Sequence, residues 1–250
     1  HGLSYEPSPD TLSLYVAYES HFISSRSVKS YLSGVCSALE PIFPSVRESR
    51  ASLLVKNTIA GRLKMAQTPV TRKSPLSADD IASMITKYDN GSHDDILFAC
   101  LLAIGFNGLH RLGELVWPDS KALQTSRKCI SFASLTLTPD HVEYDLPGHK
   151  GNRFFEGNRV AIYARADGAD ALPVLHSYLA SRASFSTTTL HPQLFVRLDG
   201  SVPTRSWFLR YLSANFSRDI AGHSVRSGGA TDLALRGIPD HIIQKAGRWT

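Results

Sequence analysis

The stretch that most restricts this chain is Ile96–Leu109, "ILFACLLAIGFNGL", because it is apolar on every side of a helix rather than along one stripe. A helix of that kind either sits at the centre of a core or spans a membrane. This one is too short to cross a bilayer, so it reads as a buried central helix. With 250 residues the chain can wrap one large core around it, or form two modest ones. The composition is that of an ordinary globular protein, which argues against global disorder.

Helical patterns precede the central stretch. "SPDTLSLYVAYESHF" opens on a Ser/Asp cap signal and places Leu12, Tyr15, Val16 and Phe22 at helical spacing. "SSRSVKSYLSGVCSALEPIF" predicts a second helix ended by prolines, and "SRASLLVKNTIAGRLKMAQ" a third, continuous one. Residues 1–70 therefore read as a small helical bundle, followed by a linker over 71–76 within the proline-bearing "TPVTRKSP". Ser77 caps the next helix, with Asp79 and Asp80 in its first turn, where the helix dipole favours anions. "DDILFACLLAIGFNGLHRLGELVW" reads as one apolar helix interrupted by glycines. The period then shortens to that of strands in "CISFASLTLT", "HVEYDLP" and "RVAIYA", with "GHKGNRFFEGN" as a hairpin tip. Helices resume to the end, so the expectation for 77–250 is a mainly α domain with one small antiparallel sheet.

Charge and cysteine content narrow the partners. The net charge is +5, with an isoelectric point near 9.2. Up to Pro75 there are nine Lys/Arg against five Asp/Glu, and beyond it 18 against 17, so the cationic excess lies in the N-terminal part. That distribution fits a polyanion partner. Cys36, Cys100 and Cys129 are few, odd in number and far apart, which suggests free thiols in a reducing compartment. The ten histidines show no metal-ligand spacing. No secretory leader pattern is visible, so an intracellular site without a membrane partner is expected.

Three polar clusters interrupt otherwise apolar elements. In "GLHRLGEL", Arg111 and Glu114 stand in a buried-looking helix, where an unpaired charge is costly. An i,i+3 ion pair serving structure alone is the plain alternative. Lys150 sits at the hairpin tip, where most lysines are simply solvated. In "HSVRSGGATDLALRG", His223 and Arg226 share one side of a helix start, whose unpaired amides also face outward. Imidazole, guanidinium and helix N-terminus together make a phosphate receptor. A surface reading of Arg226 is weakened by Gly228, Gly229 and Ala230, which imply close packing.

As an ordered set these clusters resemble the tyrosine recombinase (phage integrase) family of DNA breaking-rejoining enzymes, with wording closest to its eukaryotic, Crypton-like mobile-element branch. "GLHRLGEL" is similar to the first arginine box, Lys150 to the hairpin lysine, and "HSVRSGGATDLALRGIPDHIIQKAGRW" to the second box. The resemblance implies a helical, SAM-like core-binding domain followed by an α+β catalytic domain that forms a 3′-phosphotyrosyl link to DNA. It implies that Arg111 and Arg226 neutralise the pentacoordinate phosphorane, that Lys150 protonates the leaving 5′-oxygen, and that His223 assists proton transfer. It implies further that Trp249 buttresses the phosphate and that Glu114 orients Arg111 from behind. Lys29, Arg62, Lys64, Arg72, Lys73, His149 and Arg153 are expected to meet the DNA backbone, as is His110 unless it faces solvent. Neither metal nor nucleotide is implied, since the covalent link conserves the bond energy. Implied partners are double-stranded DNA at a specific site and three further copies in a synaptic homo-tetramer; nuclear action follows for a eukaryotic element.

The family tyrosine follows the Gly-Arg-Trp box by roughly nine residues, past Thr250. The sequence is therefore expected to hold the phosphate receptor without the attacking group, and by itself to be inactive in cleavage. Tyr211 does not stand in its place; its aromatic neighbours point to core packing. A recombinase-like DNA-binding protein that does not cut, decayed or domesticated, is the alternative. A helix-turn-helix reading of "VRSGGATDLALRGIPDHIIQKAG" is disfavoured by the apolar "DHIIQKAG". A purely structural domain would put Arg111 and Arg226 far apart.

Overall fold

The computed structural model describes residues 5–65, 73–147 and 158–249, and the chain divides into two compact units, 1–71 and 72–250. The first unit is a bundle of α1 (Pro9–Glu19), α2 (Ser25–Leu39), α3 (Val46–Ala51) and α4 (Leu53–Met65). Ser8 and Ser24 cap α1 and α2, each side chain accepting an amide hydrogen bond at 3.2 Å. Leu12, Val16, Val28, Leu32, Cys36, Val46 and Val55 form its core, while Phe22 lies beyond α1 and is exposed. The third helix expected from the sequence is two helices. Ser52 adopts an extended ψ of 153° and its hydroxyl accepts from Val55 N–H, so a local serine cap wins over helical continuity.

The second unit surrounds the apolar helix. It contains α5 (Ala78–Tyr88), α6 (His93–Asn107), α7 (Leu112–Leu115), β1 (Thr136–Leu137), β2 (His141–Leu146) and β3 (Asn158–Tyr163). After these come α8 (Ala171–Ala183), α9 (Ser186–Thr189), α10 (Arg205–Asn215), α11 (Gly222–Leu235) and α12 (Asp240–Gly247). Ser77 and Ser92 begin α5 and α6 with reciprocal caps from Asp80 and Asp95. Leu97 to Phe106 are all buried, and α5, α8 and α11 pack around them. Tyr211 of α10 belongs to this core, its ring stacked 4.8 Å from that of Phe98 and its hydroxyl donating to Asp95.

The α11 contact depends on two glycines. A Cβ on Gly228 would lie 2.2 Å from the Leu76 carbonyl oxygen, and one on Gly229 would lie 2.0 Å from that of Phe106. The helix therefore approaches its neighbours backbone to backbone, as only glycine permits. Residues of the expected linker take part: Ser74 N–H donates to Asp219 and Leu76 N–H to Ser224.

The sheet is antiparallel in the order β1-β2-β3, with Tyr144 opposite Val160. It is smaller than the sequence suggests. Of "CISFASLTLT" only Thr136 and Leu137 pair as a strand, because Ser131 and Ser134 direct their hydroxyls into local turns that compete with a ladder. Among the described residues no helix is long and apolar enough to cross a membrane.

Candidate functional site

α6 does not run on into the arginine box. It stops at Asn107, and Leu109 turns the chain with a left-handed φ of 49°. Arg111 then becomes the residue that precedes α7, and Glu114 reaches back to it. The carboxylate accepts from Arg111 N–H at 3.0 Å and from Arg111 Nη1 at 3.1 Å. Glu114 is buried, whereas the Arg111 side chain keeps 34% of its surface exposed. The expected ion pair is therefore present, yet it leaves most of the guanidinium donors uncommitted among the described residues.

α11 brings the second arginine to the same turn. Arg226 is only 3% exposed; Nη1 donates to the Leu109 carbonyl at 2.8 Å and Nη2 to that of Gly247. The Trp249 ring lies over its guanidinium, 5.0 Å from Cζ. Burial, then the charge of Arg111, hold its pKa down, to about 10. Two guanidiniums far apart in sequence thus lie within each other's field. His223, three residues earlier, is exposed, and its ring has no hydrogen-bond partner among the described residues. It heads α11 beside amides that have no intrahelical acceptor.

A third guanidinium, passed over in the sequence, completes the cluster. Arg248 follows α12 in a left-handed conformation and turns its side chain inward, 8% exposed. It donates to the Leu109 carbonyl and to Glu114 Oε2, both at 3.1 Å, and to the Gly108 carbonyl at 3.3 Å. The available cue was Glu114 itself: a carboxylate in an apolar run needs more donors than Arg111 alone supplies.

His110 differs from its expected place. It is 1% exposed and faces neither solvent nor any surface that DNA could reach. Its ring is held between Glu114 (Nδ1–Oε2, 3.1 Å) and Tyr144 of β2 (Nε2–Oη, 2.6 Å), and it stacks on the tyrosine. The ionised carboxylate can only accept, so Nδ1 carries the proton and Nε2 accepts from the Tyr144 hydroxyl. Burial holds the His110 pKa below its ordinary value, despite the nearby carboxylate. For Glu114 burial acts upward, but the His110 hydrogen bond, the charge of Arg248 and the Arg111 backbone hydrogen bond outweigh it and bring the group to about 2. The reason sequence reasoning misplaced His110 is geometric: the Leu109 turn rotates it away from the face that Arg111 occupies.

Other candidates are elsewhere. Lys150, His149, Arg153 and Arg72 lie outside the described residues. Lys29 and Lys64 are exposed on α2 and α4 of the first unit, where Arg62 donates to the Ala17 carbonyl at 3.4 Å. Lys73 donates to the Arg218 carbonyl at 2.6 Å. Among the described residues no three His, Cys, Asp or Glu side chains are grouped to hold a metal ion.

No protein-family model and no curated protein matches the sequence. Solved structures do match it along nearly its whole length. XerH site-specific recombinase, bound to palindromic difH substrate in a post-cleavage complex, superimposes with a TM-score of 0.58 over 97% of this chain at 13% identity. The fold is that of the tyrosine recombinases. The Tn1549 transposon integrase, in complex with circular intermediate DNA, shares this recombinase fold with a TM-score of 0.59 at 11% identity. That match covers 97% of this chain and 78% of the integrase. A lambda integrase dimer bound to a COC' core site gives 0.57 at 14% identity, over all of this chain and 80% of the other. The chain spans 64% and 63% of the length of the two XerH chains it matches. At these identities the likeness is one of fold, and the chemistry rests on the side chains described above.

Proposed function

We propose that this chain is the DNA-binding and phosphate-activating part of a site-specific recombinase, in which Arg111 and Arg226 grip one scissile phosphodiester. The observation that carries the reading is a cluster of three guanidiniums with one carboxylate among them: Arg111 and Arg248 bond Glu114, and Arg226 bonds the Leu109 carbonyl that Arg248 also holds. Each guanidinium has five N–H donors. Arg226 spends two on backbone carbonyls and Arg111 one on Glu114, leaving three and four for an anion among the described residues. Crowded cations of this kind are relieved by a bound phosphate, and more so by the phosphorane formed when it is attacked.

In the proposed reaction a tyrosine oxygen attacks phosphorus, the P–O bond to the 5′-oxygen breaks, and a 3′-phosphotyrosyl link remains. Lys150 gives its proton to the departing 5′-oxygen, His223 hydrogen-bonds the phosphate and assists the proton leaving the phenol, and the Trp249 indole N–H donates to a phosphate oxygen. Glu114 acts through Arg111. Lys29, Arg62, Lys64, Arg72, Lys73, His149 and Arg153 contact the DNA backbone. The reading includes a homo-tetrameric synapse on double-stranded DNA and, for a eukaryotic mobile element, action in the nucleus.

A second reading, that the chain grips DNA without cutting it, has one observation in its favour: the carbonyl bonds of Arg226 give it a structural task that needs no chemistry. The test is a longer, tyrosine-bearing form of the protein on a nicked duplex that traps the covalent complex. Trapping by the unaltered protein and its loss in Arg226→Ala supports recombination chemistry. Duplex binding without any covalent product supports the second reading.

A further inference from the structure

We infer that Arg248 is a positioning residue of the anion site, holding Glu114 and the Gly108–Leu109 turn in the one arrangement that aims Arg111 and Arg226 at the same phosphate. The inference rests on the anion-binding reading above and adds to it a residue that touches no substrate.

Arg248 has φ 54° and ψ 43°, a conformation that strains any residue bearing a Cβ and that helix ends ordinarily assign to glycine. A glycine would end α12 with less strain, so the arginine side chain must bring something that glycine cannot. What it brings is a buried guanidinium bridging two segments. One is the Gly108–Leu109 turn, gripped at both carbonyls; the other is Glu114 on α7, gripped at Oε2. Leu109 is itself left-handed, so the bridge holds one strained turn with another.

Two consequences reach the anion. The Leu109 carbonyl accepts from both Arg226 Nη1 and Arg248 Nη2, which ties the position of Arg226 to the turn that Arg248 fixes. Arg248 and His110 also occupy Oε2 of Glu114, so Arg111 Nη1 is left to bond Oε1. That division sets the rotation of the carboxylate and therefore the direction of the Arg111 fork.

The test uses the chain as it is, with inorganic phosphate as probe, reading the arginine side-chain Nε–Hε resonances by NMR alongside thermal melting. The unaltered protein is expected to show Arg111 and Arg226 signals that move on phosphate addition. Arg248→Gly relieves the left-handed strain and is expected to stay folded, with phosphate affinity reduced about tenfold, the loss of one charge-assisted hydrogen bond, and a diminished Arg111 response. A folded Arg248→Gly that binds phosphate like the unaltered protein overturns the inference, leaving Arg248 a stay for the end of α12. Should Arg248→Gly fail to fold, Arg248→Lys keeps the charge but cannot fork across two carbonyls and a carboxylate. It is expected to weaken phosphate binding, and unchanged binding by folded Arg248→Lys overturns the inference equally. If the unaltered protein shows no phosphate response, the anion-binding reading falls and takes this inference with it. If Arg226→Ala abolishes the response and Arg248→Gly does not alter it, only the inference falls.

Discussion

Two buried arginines in the second unit look alike at first and differ in what surrounds them. Arg182 of α8 and Arg226 of α11 are each 3% exposed, and each donates to backbone carbonyls. Around Arg182 stand the carbonyls of Thr189, His191 and Gln193 and the Phe132 ring, 4.1 Å from Cζ, with no second guanidinium acting on it. Around Arg226 stand Arg111 and Arg248, both of which lower its pKa beyond the effect of burial. Arg182 is a staple for a loop. Arg226 belongs to a cluster in which three guanidiniums have a single carboxylate, Glu114, among them. Burial alone therefore does not separate the two; cations that outnumber their counter-ion mark the second as the candidate site.

The comparison can be broken most directly by replacing each in turn. Arg226→Ala is expected to reduce cleavage by a tyrosine-bearing form about a hundredfold or more, as removing a transition-state donor does. Arg182→Ala is expected to leave cleavage by folded protein within about threefold while lowering stability by about 2–4 kcal/mol. Cleavage assays with melting curves on both variants check the pair, and equal losses of activity would erase the distinction.

Glu114 sharpens it next, since its carboxylate lies in one cluster and has no counterpart in the other. Its folded pKa of about 2 lies below the ordinary carboxylate value of 4.5. The stability it contributes is full above the ordinary value and is lost as pH falls from there toward 2. Glu114→Gln is expected to cost about 3 kcal/mol at neutral pH and to flatten the acid limb of the stability curve. Arg182→Ala should leave that limb unchanged. Urea denaturation between neutral and strongly acid pH reads both.

Duplex DNA binding offers a smaller effect. The logarithm of affinity should fall linearly with the logarithm of salt concentration, and Arg111→Gln should make the slope shallower by about one. Arg182→Ala should not change it. Anisotropy titrations at several salt concentrations check this, and a salt-insensitive complex would remove the phosphate contacts from the account. The smallest expected effect belongs to Tyr144→Phe, which removes the hydroxyl from His110 and should cost about 1 kcal/mol. Its measure is the shift in melting temperature.

Much of the architecture was legible because it is encoded locally. Ser8, Ser24 and Ser77 announce helix starts through their own side chains, and the apolar Ile96–Leu109 run demands a surrounding core whatever else the chain does. The errors came where two local signals competed. Ser52 splits a helix that its neighbours would continue, and Ser131 with Ser134 turns a strand-like stretch away from the ladder.

For the site, the sequence by itself determined that Arg111, His223 and Arg226 exist in patterns suited to an anion, and that Gly228 and Gly229 require α11 to pack closely. Only the tertiary structure decided that Arg226 bonds the turn just before Arg111, that Arg248 bonds that turn and Glu114, and that His110 turns inward to Tyr144. The physical reason is that a guanidinium's role depends on the charges and carbonyls within a few ångströms of it. Here those neighbours come from α6, α7, α11 and α12, and a left-handed turn at Leu109 brings them together.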